Sequence, residues 1–341
     1  MNIFEYFYEN PPLQKHYLPR KSKITQSNTF LYGPSQSGKT SLAIDYALNS
    51  QSKYLYLDLN DVRIKKVDSQ QLSKFIQSEK IEILIVDNFN QSFEIPTNTK
   101  QNILISQYKI ELANYKYLKL YYFDFEEFLN TTQKSITQSF NLYLKNGAFN
   151  NNAQMVAKAS LDQKKLNLFC ALCALSAKTI SINQIYLNLK KEYKISKDWL
   201  YSTIEWLIKH HYIYFLTKTD MPKAQKKLFI YHQPFLNTLT LNTSFISIFQ
   251  NLVVNELIKK NFKPTYYELN SYVVGKKLIK VEPFASEEAI WVKIQKNFGK
   301  YKKLGINSIT IITISSSFDF QIENTLCEAM PFYEWAVLDE L

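Results

Sequence analysis

Eight residues constrain this chain more than any others: Gly33-Pro34-Ser35-Gln36-Ser37-Gly38-Lys39-Thr40. They fit G-x-x-x-x-G-K-[ST] at each fixed position, Gly33, Gly38, Lys39 and Thr40. The spacing has a physical cause. Glycines at both ends permit the backbone dihedrals that turn successive N–H groups inward into a nest for an anion. The lysine reaches the β- and γ-phosphates of a nucleoside triphosphate, and the hydroxyl after it takes a place on Mg2+. The flanks agree: NTFLYG reads as a strand, and GKTSLAIDYALNS as a helix whose positive dipole end adds to the same site. The expected ligands are therefore ATP and Mg2+. Gly33, Pro34, Ser35, Gln36, Ser37, Gly38, Lys39, Thr40 and Ser41 form the nucleotide site, with Thr40 on the metal.

A second element supports the first. Ile83-Leu84-Ile85-Val86 is a buried strand in character, and it ends in Asp87, some fifty residues downstream. A carboxylate at the tip of a core strand is costly unless a cation meets it, and Mg2+ is such a cation. Asp58, which ends KYLYL, is a rival in a less apolar strand. Catalytic roles fall on Lys39, Asp87 and Asn88, with Thr40 and Asp87 as metal ligands. The equipment for hydrolysis is thinner. Asn88 stands where many ATPases place a glutamate that activates water, and an amide orients water without accepting its proton. Glu94 is near in sequence, and Ser106 and Gln107 end the strand QNILISQ where a γ-phosphate would be sensed. Lysine outnumbers arginine 39 to 2, so an arginine finger comes from Arg20 or Arg63 or does not exist. Slow hydrolysis is expected, with a non-hydrolysing nucleotide-dependent switch or scaffold as the alternative.

KYLYLDL, QQLSKFIQS, IEILIVD and QNILISQ continue a strand–helix alternation, which implies a parallel sheet covered on both faces. The fold class expected is α/β: a P-loop NTPase parallel sheet, then a helical winged-helix domain, then a small α/β C-terminal domain. The domains are expected at 1–130, 131–240 and 241–341. KSITQSFNLYLKNG and Leu161 to Ser176 read as helices, and Ile182 to Glu192 with Lys197 to Lys209 as a helical pair. HHYIYFLTK and KKLFIYH follow as a two-stranded wing, the winged-helix order. Ser244 to Lys260 is an apolar helix. TYYELNSYVV, KKLIKVEPF, a helix over Glu287 to Lys303 and the strand SITIITIS complete the chain.

Charge is uneven. Of the net +11, residues 1–150 carry +3, residues 151–240 carry +8 and residues 241–341 carry none. The basic middle segment is either a solvated lysine surface or a patch for a polyanion such as DNA, bound without sequence preference. Within the helix SKDWLYSTIEWLIKHH, Ile204, Leu207 and Ile208 are expected on the core face. Lys197, Tyr201 and Lys209 are expected outside, and Lys218, Lys223, Lys226 and Lys227 on the wing. Cys170, Cys173 and Cys327 form no disulfide framework, and the C-x-x-C pair lies in an apolar helical run without a second ligand pair. The N-terminus lacks a basic-then-apolar signal, and no run of about 18 apolar residues occurs, so a cytoplasmic chain with no membrane partner is expected.

With these segments placed, their order resembles that of the prokaryotic AAA-type (STAND-related) ATPases that carry a winged helix and a restriction-endonuclease-like C-terminal domain. The resemblance spans nearly the whole chain. The phosphate loop and Asp87 carry it. LKLYYFDFEEFL (Leu118 to Leu129) is similar to the family's segment after the sensor strand, and FNLYLKNGAF (Phe140 to Phe149) to its YL-x-x-G-x-F step. KKLFIYHQPF and FQNLVVNELIKK resemble the strand and helix that open its C-terminal domain. There are also departures. ELANYKYLKL holds no arginine where members usually have Gly-Arg. LNSYVV and KVEPF stand where nuclease-like members have Glu-Val-Asp and Glu-x-Lys. Glu282 survives, but Pro283 and Phe284 follow it. One carboxylate without partners holds a catalytic metal poorly. The resemblance therefore implies an ATPase with a degenerate nuclease-like domain, kept for packing or for a protein partner.

Overall fold

The computed structural model describes residues 3–12, 17–64, 67–147, 153–191, 193–241 and 243–338. Ala148 and Phe149, at the end of FNLYLKNGAF, and Glu192 lie outside them. The chain divides into two compact units, Met1–Phe123 with Lys209–His211, and Asp124–Ile208 with Tyr212–Leu341.

The first unit holds α1 (Ile3–Glu9), β1 (Thr29–Tyr32), α2 (Lys39–Asn49), β2 (Tyr54–Asp58), α3 (Ser69–Glu79), β3 (Ile83–Asp87), β4 (Gln101–Ser106) and β5 (Lys116–Lys119). The five strands form one sheet in the order β2-β3-β4-β1-β5, with every pair parallel. This is a mixed α/β unit consistent with a P-loop NTPase-like fold. The sheet is covered on both faces, which is why β3 is apolar at every position before its tip. Leu84 and Val86 pack with Phe4, Phe7, Leu72 and Ile76 from α1 and α3. Ile83 and Ile85 pack with Leu42, Ala43 and Ile44 of α2 on the other face. At about 1.5–3 kcal/mol for each fully buried aliphatic side chain, β3 anchors the sheet, and its C-terminal tip is held in place. β1 lies between β4 and β5, so the loop leaving β1 emerges over the middle of the strand tips.

The second unit opens with the helices α4 (Phe125–Leu129), α5 (Ile136–Asn146), α6 (Ala153–Ser160), α7 (Gln163–Ala174), α8 (Ile182–Leu189) and α9 (Lys197–Lys209). An antiparallel hairpin, β6 (Ile213–Leu216) and β7 (Lys227–Ile230), follows, then α10 (Pro234–Leu239) and α11 (Phe245–Lys259). The rest is β8 (Thr265–Glu268), β9 (Ser271–Val274), β10 (Lys277–Val281), α12 (Glu287–Lys303), β11 (Ser308–Thr313), β12 (Phe318–Ile322), β13 (Thr325–Pro331) and α13 (Phe332–Trp335). Its six-stranded mixed sheet runs β12-β13-β11-β10-β9-β8. α11 is buried on nearly all sides, and its polar residues are matched. Asn251 and Asn255 bond the backbone of Ile230, and Tyr214 donates to Asn255. Phe125, Phe140, Tyr143, Phe249, Phe332 and Trp335 close an aromatic core beside it.

The hairpin is strapped to the edge of that sheet. Tyr266 N–H donates to Thr217 O and Thr219 N–H to Tyr266 O, while the Tyr266 hydroxyl donates to Gln225 O. Lys227 differs from its expected place on an exposed wing. It is 1 % exposed, and its ammonium donates to Gln250, to the Tyr272 hydroxyl and to Leu269 O. Three acceptors brought from distant sequence make that burial affordable. Ile208 also differs: it is 40 % exposed, because the buried stripe of α9 is Leu200, Thr203, Ile204 and Leu207 and the helix ends a residue later. TYYELNSYVV forms two strands, β8 and β9, turned at Leu269-Asn270.

Candidate functional site

Each fixed residue of the loop has a structural assignment. Gly33 has φ +149°, and a Cβ there would lie 2.1 Å from Leu120 O, so the end of β5 closes against bare backbone. Gly38, at φ +87°, is the N-cap of α2 and brings no side-chain cap. The contrast is informative: α3, α4, α5, α7, α8, α11 and α12 each have an Asp or Ser side chain on their first N–H groups. The first N–H groups of α2 have no intrahelical partners either, which suits an anion. Ser37 Oγ is buried and finds no hydrogen-bond partner among the described residues. Pro34 is buried, Ser35 half-buried, Gln36 exposed in a left-handed turn, and Ser41 faces outward on α2. The Tyr122 hydroxyl donates to Ser35 O at 3.0 Å.

Lys39 is buried at the first position of α2. Its ammonium folds back on Gly33 O at 3.0 Å and Pro34 O at 2.6 Å. Burial lowers its pKa to about 8, against the opposing pull of Asp87. A desolvated ammonium held by two carbonyls favours a phosphate that brings full negative charge.

The tips of β2 and β3 bring the acids together. Thr40 Oγ1 donates to Asp87 Oδ2 at 2.5 Å, the Tyr56 hydroxyl donates to the same oxygen at 3.1 Å, and the Asn88 N–H donates to Asp87 Oδ1 at 2.8 Å. A threonine hydroxyl that gives its proton to Asp87 turns its lone pairs outward, as a hard cation requires. The donor set therefore fits Mg2+. Tyr56 was not singled out in the sequence, although its place two residues before Asp58 on a strand puts both on one face. Burial and the charges of Asp87 and Asp58 push its pKa up, so it stays a donor. Asn88 Nδ2 donates to Asp58 Oδ1 at 2.7 Å. Ser106 is buried and Gln107 half-buried at the end of β4, while Glu94 is exposed in the segment after β3.

Both arginines are engaged within the first unit. Arg20 is buried; Nη1 donates to Ser37 O at 2.7 Å and Nη2 to Tyr121 O at 2.8 Å, and the guanidinium lies 4.4 Å over the Phe123 ring. It thus ties the Gly33–Thr40 loop to the segment after β5. Arg63 is exposed, pairs with Asp61 through two hydrogen bonds and stacks on Tyr6. That pairing pushes Asp61 down to about 2. His211 groups with the same unit, its ring against Tyr32; burial, with the Lys119 and Lys39 ammoniums, pushes it down to about 3.

In the second unit, Lys280 is buried against Ser271 Oγ at 3.0 Å, the partner opposite it in the β9–β10 pairing, with Glu268 at 3.8 Å. Glu282 bonds Asn270 and pairs with Lys293. Cys170, Cys173 and Cys327 are free thiols whose pKa values burial pushes up. Among the described residues no group of three or more His, Cys, Asp or Glu side chains has metal-holding geometry, and no helix is long and apolar enough to cross a membrane.

No family model matches the chain, and no curated protein matches it in sequence. Solved structures do align with it. One is the structure of Drosophila ORC bound to AT-rich DNA and Cdc6, at 14% identity and TM-score 0.21, over 62% of this chain and 84% of that one. Another is the Aeropyrum pernix ORC1 protein in complex with DNA, at 10% identity and TM-score 0.26, over 70% and 89%. Likeness at that level carries no argument about activity, which rests on the site itself.

Proposed function

We propose that this chain binds ATP with Mg2+ in the Gly33–Thr40 loop and hydrolyses it slowly, using nucleotide state to change conformation. The observation that carries the reading is the Thr40–Asp87 hydrogen bond, because it joins the loop to the acid at the strand tip in the arrangement a bound cation needs. The buried Lys39 and the uncapped start of α2 support it. Lys39 would hold the β- and γ-phosphates, and Thr40 and Asp87 would hold the metal. Mg2+ bound there supplies neutralisation of the charge that develops on the phosphate oxygens. Asn88 in place of a glutamate, and two arginines already engaged, favour slow turnover.

The test is equilibrium binding of a fluorescent ATP analogue together with steady-state phosphate release, on the wild type, Lys39→Ala and Asp87→Ala. Loss of binding in Lys39→Ala and of release in both variants is expected. Equal binding by the wild type and Lys39→Ala refutes the reading. Binding without release above the Lys39→Ala background leaves the nucleotide-dependent switch.

A second reading is non-specific DNA binding through the second unit, favoured by the exposure of Lys223 and Lys226 on the hairpin. Lysines contact phosphates without reading bases, so binding should fall steeply with salt and weaken when both are neutralised. For the six-stranded sheet we infer packing or partner binding in place of nuclease chemistry. The buried Lys280 amine bonds Ser271 Oγ at 3.0 Å and lies 3.8 Å from Glu268, so it competes with any cation for that carboxylate.

A further inference from the structure

We propose that Asp58 is the base of the hydrolytic step, taking the proton of the attacking water, while Asn88 holds that water and Asp58 in line. The proposal rests on the ATPase reading above and names the group that reading leaves open.

Hydrolysis needs an acceptor for a water proton near the γ-phosphate, and the side chain after Asp87 is an amide, which accepts none. The acids at the strand tips can be sorted by what occupies them. Asp87 is used on both oxygens, by Thr40, Tyr56 and the Asn88 N–H. Asp61 is held through both oxygens by Arg63. Glu94 is exposed, beyond the strand tips in the segment after β3. Asp58 is different. Its Oδ1 accepts from Asn88 Nδ2 at 2.7 Å and from the Asn60 N–H at 2.9 Å, and its Oδ2 has no hydrogen bond among the described residues.

Topology places the residue that carries that open oxygen. β2 and β3 are parallel and pair Asp58 with Asp87 in register. Residues in register on parallel strands send their side chains to the same face, about 4.8 Å apart. Asp58 therefore stands one strand along from Asp87, on the side that faces Thr40. Asn88 has φ 54°, a left-handed conformation that asparagine tolerates better than glutamate and that turns its side chain back across the strand tips to Asp58. The acid missing after β3 is thus supplied by β2, through an amide bridge. In the step itself the water oxygen forms a bond to the γ-phosphorus as the bond to the β,γ-bridging oxygen breaks. The water proton passes to Asp58 Oδ2, and ADP leaves with the bridging oxygen.

The experiment compares Asp58→Asn, Asp58→Glu and Glu94→Gln with the wild type in the full chain. It measures equilibrium ATP binding and single-turnover phosphate release at saturating Mg-ATP. Asp58→Asn is expected to bind ATP within about threefold of wild type and to lose about 10²-fold or more in release, the usual contribution of a general base. Asp58→Glu should recover part of the rate, and Glu94→Gln should change nothing. Retained binding also shows that Asp58→Asn is folded. Release by Asp58→Asn within about threefold of wild type overturns the proposal, as does parallel loss of binding and stability, which marks Asp58 as a strand-end clasp only. A wild type that binds ATP but releases no phosphate overturns this proposal and spares the binding reading. A wild type that binds no ATP overturns both.

Discussion

Replacing Arg20 tests whether the phosphate loop is held from within its own unit. Arg20→Ala removes from a buried guanidinium at least the hydrogen bonds to Ser37 O and Tyr121 O and the stack on Phe123. Bonds to a charged group contribute about 1.5 kcal/mol each at the lower end, and a partly desolvated cation–π contact about 1 kcal/mol. The first unit should lose about 4 kcal/mol. Arg20→Lys keeps the charge, but one ammonium lacks the planar fork that spans both carbonyls, so about 2 kcal/mol should go. The assay uses the placement of tryptophan: Trp199, Trp206, Trp291 and Trp335 all lie in the second unit. Urea unfolding followed by fluorescence reports that unit alone, and far-UV circular dichroism reports both. At a slope of about 2 kcal/mol per molar, Arg20→Ala should lower the first unit's midpoint by about 2 M with the fluorescence midpoint unmoved. A shift below about 0.3 M refutes the argument. An arginine finger acting in a neighbouring copy gives the opposite pattern: normal stability and binding, with turnover restored by mixing Arg20→Ala with Lys39→Ala.

Two further outcomes follow from titration. Burial lowers free Lys39 to about 8, and a bound triphosphate favours the ammonium, so ATP binding at pH 9 should take up close to one proton and affinity should fall by up to tenfold per pH unit above about 8. Calorimetry in two buffers of different ionisation enthalpy measures this, and no uptake at pH 9 contradicts it. Glu256 is buried and accepts the Phe125 N–H; burial raises it to about 7 despite Lys259. Its protonated form therefore stabilises the second unit fully below its ordinary value of 4.5, and that contribution is lost as pH rises through about 7, an effect of about 3 kcal/mol. Fluorescence-detected urea midpoints at pH 5 and pH 8 should show the loss in wild type and a flatter profile in Glu256→Gln; equal slopes rule it out.

What could be read in advance was what is local in sequence. The segment Gly33–Thr40, from the end of β1 into α2, is eight contiguous residues with glycines at two of its fixed positions, and the end of β3 at Asp87 is marked by the four apolar residues before it. The strand–helix alternation follows from periodicity alone. Features set by distant partners were not legible. Lys227 looks like a wing lysine until Gln250, Leu269 and Tyr272 arrive around it. The Asp58–Asn88 bridge depends on which residues of β2 and β3 face each other. β5 is a short, half-exposed edge strand, KYLK, without alternation. α1 has only Phe4 and Phe7 on its buried side, too brief for a helical period to stand out. β12 is another matter, since Phe318, Phe320 and Ile322 do alternate with polar residues, and the signal was there to be read.

The strap between the hairpin and Tyr266 bears on solubility as well as on shape. β8 is the outer strand of a six-stranded sheet, and an unpaired outer strand invites pairing with another chain. Thr217 and Thr219 take up the backbone N–H and C=O of Tyr266, the groups a second molecule would use, and Lys227 is locked to Leu269 O at the turn beyond. At the opposite margin, β12 turns the polar Asp319 and Gln321 to solvent. The hairpin thus doubles as an edge guard: shortening it, even with every core residue kept, would give the second unit a surface that templates its own aggregation.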